Sequence, residues 1–246
     1  MKQILILQSR QRPEMILGEQ DEYRRSLKDV DAELIFKNTL DETLPWNAPD
    51  AILDSAHGVI FGGSGEFDFD GGRGDDDPAR LTAHAIRDRV KTFVEYLFSN
   101  NIPTLGICFG HQIIGELRGA KVINDTAQKK VGTHEVYLNE SGVADPLFKD
   151  TLRSFVAQYG HKDSLSTLPS GAVVLASADN CNFSALRYSE KIYTVQFHPE
   201  LSAEDMIQKL ANSPGYLPEG VAPESIIRPS REASAILLRF VDRIVV

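Results

Sequence analysis

Four short apolar runs, separated by longer stretches, dominate the first half of the chain: QILILQS, AELIFKN, HGVIFGG and IPTLGI. Each is too short for a helix and is bounded by Gly, Pro, Asn or Ser, so each predicts a buried strand. Two of the intervening segments have helical character, Pro13 to Lys28 and Pro78 to Ser99. In the second, the spacing predicts one apolar face made of Leu81, Ala85, Ile86, Val90, Phe93, Val94 and Leu97. A third helix is expected from His111 to about Arg118. Strands alternating with helices in this order require right-handed crossovers, which lay the strands parallel and put helices on both faces. Such a sheet brings the carboxyl ends of its strands to one edge, where functional sites form.

The second half reads differently. KVINDT, HEVYL, SFVAQYG, AVVLASA, SALRYS and IYTVQF are closely spaced strands with little helix between them, and they predict an antiparallel or mixed layer attached to the parallel core. Arg231 to Val246 predicts a closing helix. The expected architecture is α/β, a largely parallel mixed central sheet flanked by helices on both faces. No repeat, low-complexity tract or linker interrupts the sequence, so residues 1–246 are expected to form a single domain.

The formal charge of −9 argues against a nucleic-acid or anionic-membrane partner, since either would repel the surface on approach. Two cysteines cannot form a disulfide framework and fit a reducing compartment. The N-terminal apolar run is too short for a signal-peptide core, and no stretch approaches the roughly 20 apolar residues of a membrane span. A cytoplasmic location is expected.

GICFGHQ, Gly106 to Gln112, treats the two cysteines unequally. A strand that ends in Gly-x-Cys-x-Gly and opens into a helix is the cysteine form of the nucleophile elbow. The turn is sharp, Gly106 and Gly110 allow strand and helix to pass closely, and the apex side chain is expected to stand exposed above the sheet edge. The following helix aims its N-terminal amides at the sulfur and favours thiolate. Cys181, in NCNFS, has no such surroundings and reads as a small buried residue.

A nucleophile needs a base. In IYTVQFHPE, period-two alternation sets Thr194, Gln196 and His198 on one face and Tyr193, Val195 and Phe197 on the other, and Pro199 stops the strand. Glu200, two residues beyond His198, points the same way and is able to orient the imidazole and stabilise its protonated form. GVIFGGSG ends a strand in glycines whose free N–H groups suit an oxyanion site. Each feature alone has a bland reading; together they converge on one sheet edge.

These motifs, with GHKDSLSTLPSGAVVLASA ahead of the histidine, resemble the class I (triad) glutamine amidotransferases, nearest to the glutaminase domain of GMP synthetase and its stand-alone relatives. The resemblance runs from about Met1 to about Ala211. It implies the fold already expected, a flavodoxin-like sandwich, and a set of roles without cofactor or metal. Cys108 would attack the side-chain amide of glutamine. His198 would carry the proton and Glu200 would orient it. The amides of Gly63 and Phe109 would hold the oxyanion. Gln112 matches the family's glutamine-binding position, and Gly65 with Tyr159, Gly160 and His161 would frame the substrate. The implied substrate is L-glutamine or another γ-glutamyl amide. His161-Lys162-Asp163 departs from the His-Gly-Asp of GMP synthetases. No ATP-using segment follows, so the expectation is either a separate synthetase subunit that takes the ammonia or a stand-alone γ-glutamyl hydrolase. A non-catalytic binding module of the same fold is the alternative of another class.

One segment stands outside this reading. In GEFDFDGGRGDDDP, residues Glu66, Asp68, Asp70, Gly71 and Asp77 occupy positions of a calcium-loop pattern, but its first and last ligand types are exchanged and Arg73 stands where an apolar residue belongs. A solvated loop beside the pocket is expected instead, serving as a lid, a docking surface or a filter for substrates with a basic group.

Overall fold

The computed structural model describes residues 1–212, 217 and 220–245. Strands β1 (Lys2–Gln8), β2 (Ala32–Asn38), β3 (Gly58–Phe61) and β4 (Thr104–Ile107) alternate with helices α1 (Pro13–Ser26), α2 (Pro49–Leu53), α3 (Pro78–Ser99) and α4 (Phe109–Leu117). The second half supplies β5 (Val122–Asn124), β6 (Lys130–Leu138), α5 (Glu140–Val143), β7 (Ser154–His161), β8 (Asp163–Leu165), β9 (Val173–Ala178), β10 (Cys181–Arg187) and β11 (Ile192–Val195). Helices α6 (Ala203–Ala211), α7 (Pro223–Ile226) and α8 (Arg231–Arg239) complete the chain. The closing helix expected over Arg231 to Val246 ends as α8 and a π-helical turn, Phe240–Ile244; Val246 lies outside the described residues.

Nine strands form one sheet in the order β2-β1-β3-β4-β11-β10-β9-β6-β7, and β5 pairs with β8 in a small separate sheet. Pairings from β2 through β1, β3 and β4 to β11 are parallel, and those from β11 onward are antiparallel. The antiparallel strands therefore extend the parallel sheet edge to edge and do not stack on it as a layer. The last strand of the sequence, β11, returns to the centre beside β4, which brings the segment after it alongside the segments after β3 and β4.

Alternation along β1 shows how the two faces are filled. Ile4 and Ile6 point into a core shared with Tyr23 and Leu27 of the α1 side and Ile236 and Leu237 of α8. Leu5 and Leu7 point the other way, into a core with Ile52, Phe93 and Ile113 of α2, α3 and α4. Both faces are thus covered, the condition a parallel sheet needs.

Helix α3 starts where Asp77 accepts hydrogen bonds from the amides of Ala79 and Arg80, with Pro78 in the first turn. Its apolar face differs from the expected one at the start. Ala83, Ile86, Val90, Phe93, Val94 and Leu97 are buried, whereas Leu81 is 54% exposed and Ala85 is exposed. Leu81 and Ala85 each precede a core residue by five positions, about 140° around the helix, and that rotation turns them to solvent.

Candidate active site

Cys108 links β4 directly to α4 with φ 50° and ψ −99°, a conformation most side chains avoid. The strain is held by close packing on both sides. A Cβ on Gly110 would lie 2.4 Å from the carbonyl oxygen of Phe61, and one on Gly106 would lie 2.9 Å from the carbonyl oxygen of Gly110. The Gly110 amide donates to the carbonyl of Gly62 at 3.2 Å, tying the elbow to the end of β3. One consequence is measurable in stability. We expect Cys108→Gly to unfold at higher denaturant than Cys108→Ala, by about 1 kcal/mol, because glycine relieves a conformation that costs roughly 1–3 kcal/mol. Equal midpoints in urea titrations would mean that the elbow carries no strain.

The sulfur does not stand exposed as the elbow motif suggests. Cys108 is only 3% accessible, because the segments after β3 and β11 close over it. His198 lies over it, close enough for Cys108 to favour the charged ring. His198 is held from two directions: its backbone amide donates to the carbonyl of Gln158 at 2.8 Å, bridging to β7, and its Nδ1 donates to Glu200 Oε1 at 2.6 Å. Both His198 and Glu200 are buried. Burial by itself would lower the imidazole pKa, but the Glu200 carboxylate and Cys108 more than offset it and raise it to about 10. The two other histidines of this region stay neutral. Burial depresses His111 and His161 to about 3, leaving His198 as the protonated imidazole of this cluster near neutral pH.

Gly63 lies against the same ring. A Cβ there would come within 2.8 Å of His198 Cε1 and 3.6 Å of Cys108 Cβ. The imidazole therefore uses the space a side chain at 63 would need. Neither the Gly63 nor the Phe109 amide donates to an acceptor among the described residues. Gly63→Ala is expected to leave the fold intact and lower turnover at least tenfold by displacing the imidazole, a displacement worth upwards of about 1.4 kcal/mol in the barrier. Unchanged turnover in the variant would show that the ring has slack.

Of the residues expected to frame a substrate, Gly65 and Gly160 line the narrow cavity of about 60 Å³ that opens beside His198, together with Ser64. The side chains of the others turn inward. Gln112 Nε2 donates to the Asp163 carbonyl at 2.7 Å and to Gln196 Oε1 at 3.4 Å. The Tyr159 hydroxyl donates to Ser184 Oγ at 3.0 Å, with its ring against Phe197. His161 Nδ1 donates to the carbonyl of Asp163 at 3.0 Å. In this structure these three are engaged with protein partners, and of the five expected residues Gly65 and Gly160 are the two that line the cavity.

The acidic loop is solvated chiefly in its second half, where Gly72, Gly74, Asp75 and Asp76 are exposed; its first half is packed. Phe67 and Phe69 are buried, and Phe69 stacks on Phe109 at 5.3 Å between centroids. The Asp163 carboxylate accepts from the amides of Asp70 and Gly71 at 2.8 and 2.7 Å. Lys162, the departure from His-Gly-Asp, lies 3.6 Å from Asp68. The charge at the centre of the would-be calcium loop is Arg73, which pairs with Asp68 at 2.9 Å and Asp77 at 3.3 Å. Among the described residues no group of three or more His, Cys, Asp or Glu side chains is gathered for a metal. Of this stretch, Gly65 lines the cavity beside His198.

Sequence reasoning missed Arg10, Glu19, Glu22 and Lys209. Arg10 pairs with Glu19 at 2.8 Å, and Lys209 with Glu22 at 2.9 Å, so α1 and α6 reach the site through two ion pairs. Arg10 follows the end of β1 at the same sheet edge, and that position was the available signal.

The family model for class-I glutamine amidotransferases matches residues 43–213. The chain belongs to this family. This amidotransferase is 35% identical over 116 residues to a subunit of the glutamine-hydrolyzing GMP synthase of Methanocaldococcus jannaschii, across 47% of the chain and 60% of that protein. It is 37% identical over 114 residues to the glutamine-hydrolyzing GMP synthase of Shewanella oneidensis, across 44% of the chain and 22% of that protein. It thus spans between a fifth and three fifths of the length of these curated relatives. The fold of the amidotransferase matches a crystal structure of a glutamine amidotransferase from Thermotoga maritima with a TM-score of 0.72 at 17% identity, over 99% of this chain and 98% of that one. A glutamine amidotransferase from Methylobacillus flagellatus matches at 0.63, also at 17% identity, over 98% and 93%. Among the described residues no helix is long and apolar enough to cross a membrane.

Proposed function

We propose that the chain hydrolyses the side-chain amide of L-glutamine to glutamate and ammonia through a Cys108 thioester. The observation that carries this reading is the strained elbow cysteine set beside a buried histidine that is itself bonded to Glu200. The sulfur, with its proton already held on His198, attacks the amide carbon. The oxygen that becomes negative is held by the amides of Gly63 and Phe109, whose N–H groups have no other acceptor among the described residues. His198 then protonates the leaving nitrogen, the C–N bond breaks, and ammonia departs. A water molecule gives a proton to His198 and attacks the thioester; the C–S bond breaks, the proton stays on His198 as at the start, and glutamate is released. The Methanocaldococcus jannaschii relative is named as a subunit of a GMP synthase, which supports a separate protein partner that consumes the ammonia.

A second reading keeps the chemistry and enlarges the leaving group. Four apolar side chains line the cavity, which favours a γ-glutamyl amide with an organic amine over ammonia alone. Glutamate release from L-glutamine, measured beside a panel of γ-glutamyl peptides with Cys108→Ala as control, separates the two. Turnover of glutamine that the variant loses supports the glutaminase. Turnover of peptides alone supports the hydrolase. If no compound is turned over and a glutamine-like chloroketone fails to label Cys108, the catalytic reading falls and a binding module takes its place.

A further inference from the structure

The cavity beside His198 has a polarity that the proposed reaction does not use. Its wall carries the cationic side chains of Arg10 and Lys209 beside the His198 ring, and no Asp or Glu. Met15, Leu201, Met206 and Leu210 supply its apolar side chains, and Ser64 and His198 complete the side-chain surface. A cavity of this composition excludes a cationic group and offers an anionic one both charge and a dry surround.

Arg10 is the stronger of the two cations. It is 4% exposed, and one edge of its guanidinium is fixed where Nη2 donates to Glu19 Oε1 at 2.8 Å. Its Nη1 lies on the Gly65 side, 3.9 Å from where a Cβ on that glycine would stand. Its Nε is buried and has no hydrogen-bond partner among the described residues. A buried, charged N–H without an acceptor costs about 1–3 kcal/mol or more, so its persistence in a cavity wall calls for an acceptor that arrives from outside. The group best matched to a guanidinium edge is a carboxylate, which accepts two parallel N–H bonds. Lys209, held to Glu22, adds a second positive charge across the same space.

Resting on the reading of Cys108 as the nucleophile, we propose that Arg10 anchors a carboxylate of the substrate, with Lys209 reinforcing the field. Two sources carry that group: the α-carboxylate of the γ-glutamyl unit, or a carboxylate on the leaving amine of a γ-glutamyl amino acid. Met15, Leu201, Met206 and Leu210 then exclude water from the pair. The anchored carboxylate fixes the distance from the cavity end to the amide carbon at the sulfur, and so makes Arg10 a specificity residue for γ-glutamyl compounds.

The test is binding, measured by calorimetry on the Cys108→Ala protein. One pair of ligands is L-glutamine and its α-carboxamide; the other is γ-glutamylglycine and γ-glutamylglycinamide. With Arg10 present, the acid binds about 10- to 100-fold more tightly than the amide in at least one pair, the range expected of a charge-assisted hydrogen bond. Preference in the first pair identifies the α-carboxylate, and preference in the second pair alone identifies the leaving group. Arg10→Met made together with Glu19→Met, which removes the ion pair without stranding a charge, abolishes the preference. Arg10→Lys, which keeps a partner for Glu19, reduces it. The proposal is overturned if neither pair shows a preference or if the preference survives in the double variant. Because the readout is affinity, it is separate from the proposed reaction: preference without turnover by the intact protein would sink the glutaminase and leave the anchor standing, and turnover without preference would do the reverse.

Discussion

Glu200→Gln lowers kcat for glutamine by roughly 10³- to 10⁴-fold and moves the alkaline limb of the pH profile to lower pH. Burial of His198 opposes a charged ring, and the Glu200 carboxylate is the leading opposing influence, bonded to Nδ1 at 2.6 Å. Glutamine keeps the shape and one acceptor oxygen but no charge. The imidazolium then loses its main support, and its pKa falls from about 10 toward or below the ordinary value near 6.5. Activity that needs the protonated ring persists in the parent protein until pH rises through about 10; in the variant it fades around or below neutrality. The same shift acts on stability. A raised folded-state pKa stabilises the native chain below the unfolded value of about 6.5, and that contribution is lost as pH climbs through the folded value. Thermal midpoints of parent and variant should therefore differ most near and below neutral pH and converge in strong alkali. A kcat/KM profile with the same alkaline limb in both proteins would remove Glu200 from the role assigned to it.

Glu19→Ala destabilises the fold by about 3–5 kcal/mol, the range for stranding one member of a buried ion pair. Glu19 is 1% exposed and accepts from both Arg10 and Gln8, the latter at 2.8 Å. Alanine leaves the Arg10 guanidinium in the interior with no carboxylate, and leaves the Gln8 amide short of an acceptor. Making Arg10→Met and Glu19→Met together removes both charges and is expected to fall within about 1–2 kcal/mol of the parent, or above it. Urea unfolding of the two variants reads the contrast. A cost below about 1 kcal/mol for Glu19→Ala would mean that water reaches the pair, and that the cavity wall is wetter than its burial suggests.

How much of this was legible in the sequence depended on whether a feature was local. Strand β2 coincides with AELIFKN and α3 with Pro78 to Ser99, because composition and caps at the ends of each segment mark their own limits. Glycines at 63, 106 and 110 were legible too, since a missing side chain is itself the signal for a close approach. Helix α6 carried a readable start in the Ser202 and Asp205 capping box, yet its short span sat among loop-like residues. The acidic loop hid its anchoring in plain alternation: Phe67 and Phe69 turn inward while Asp68 pairs with Lys162 and Asp70 accepts from the Asn124 amide. Glu19 and Glu22 were illegible for a different reason. On a helix with many charges they look like solvated residues, and only the packing of α1 against β1 and α6 gives them Arg10 and Lys209 as partners.

Asp163 joins two parts of the chain that a modular view would treat as separate. Its carboxylate grips the loop amides at Asp70 and Gly71, more than ninety positions earlier, while its own carbonyl receives Gln112 from the elbow helix. The loop and the Lys162–Asp163 corner are therefore one inheritable unit. A graft that exchanges residues 66–77 between relatives without exchanging that corner would deliver a loop with nothing to hold it, and chimaeras in this family should be cut in pairs.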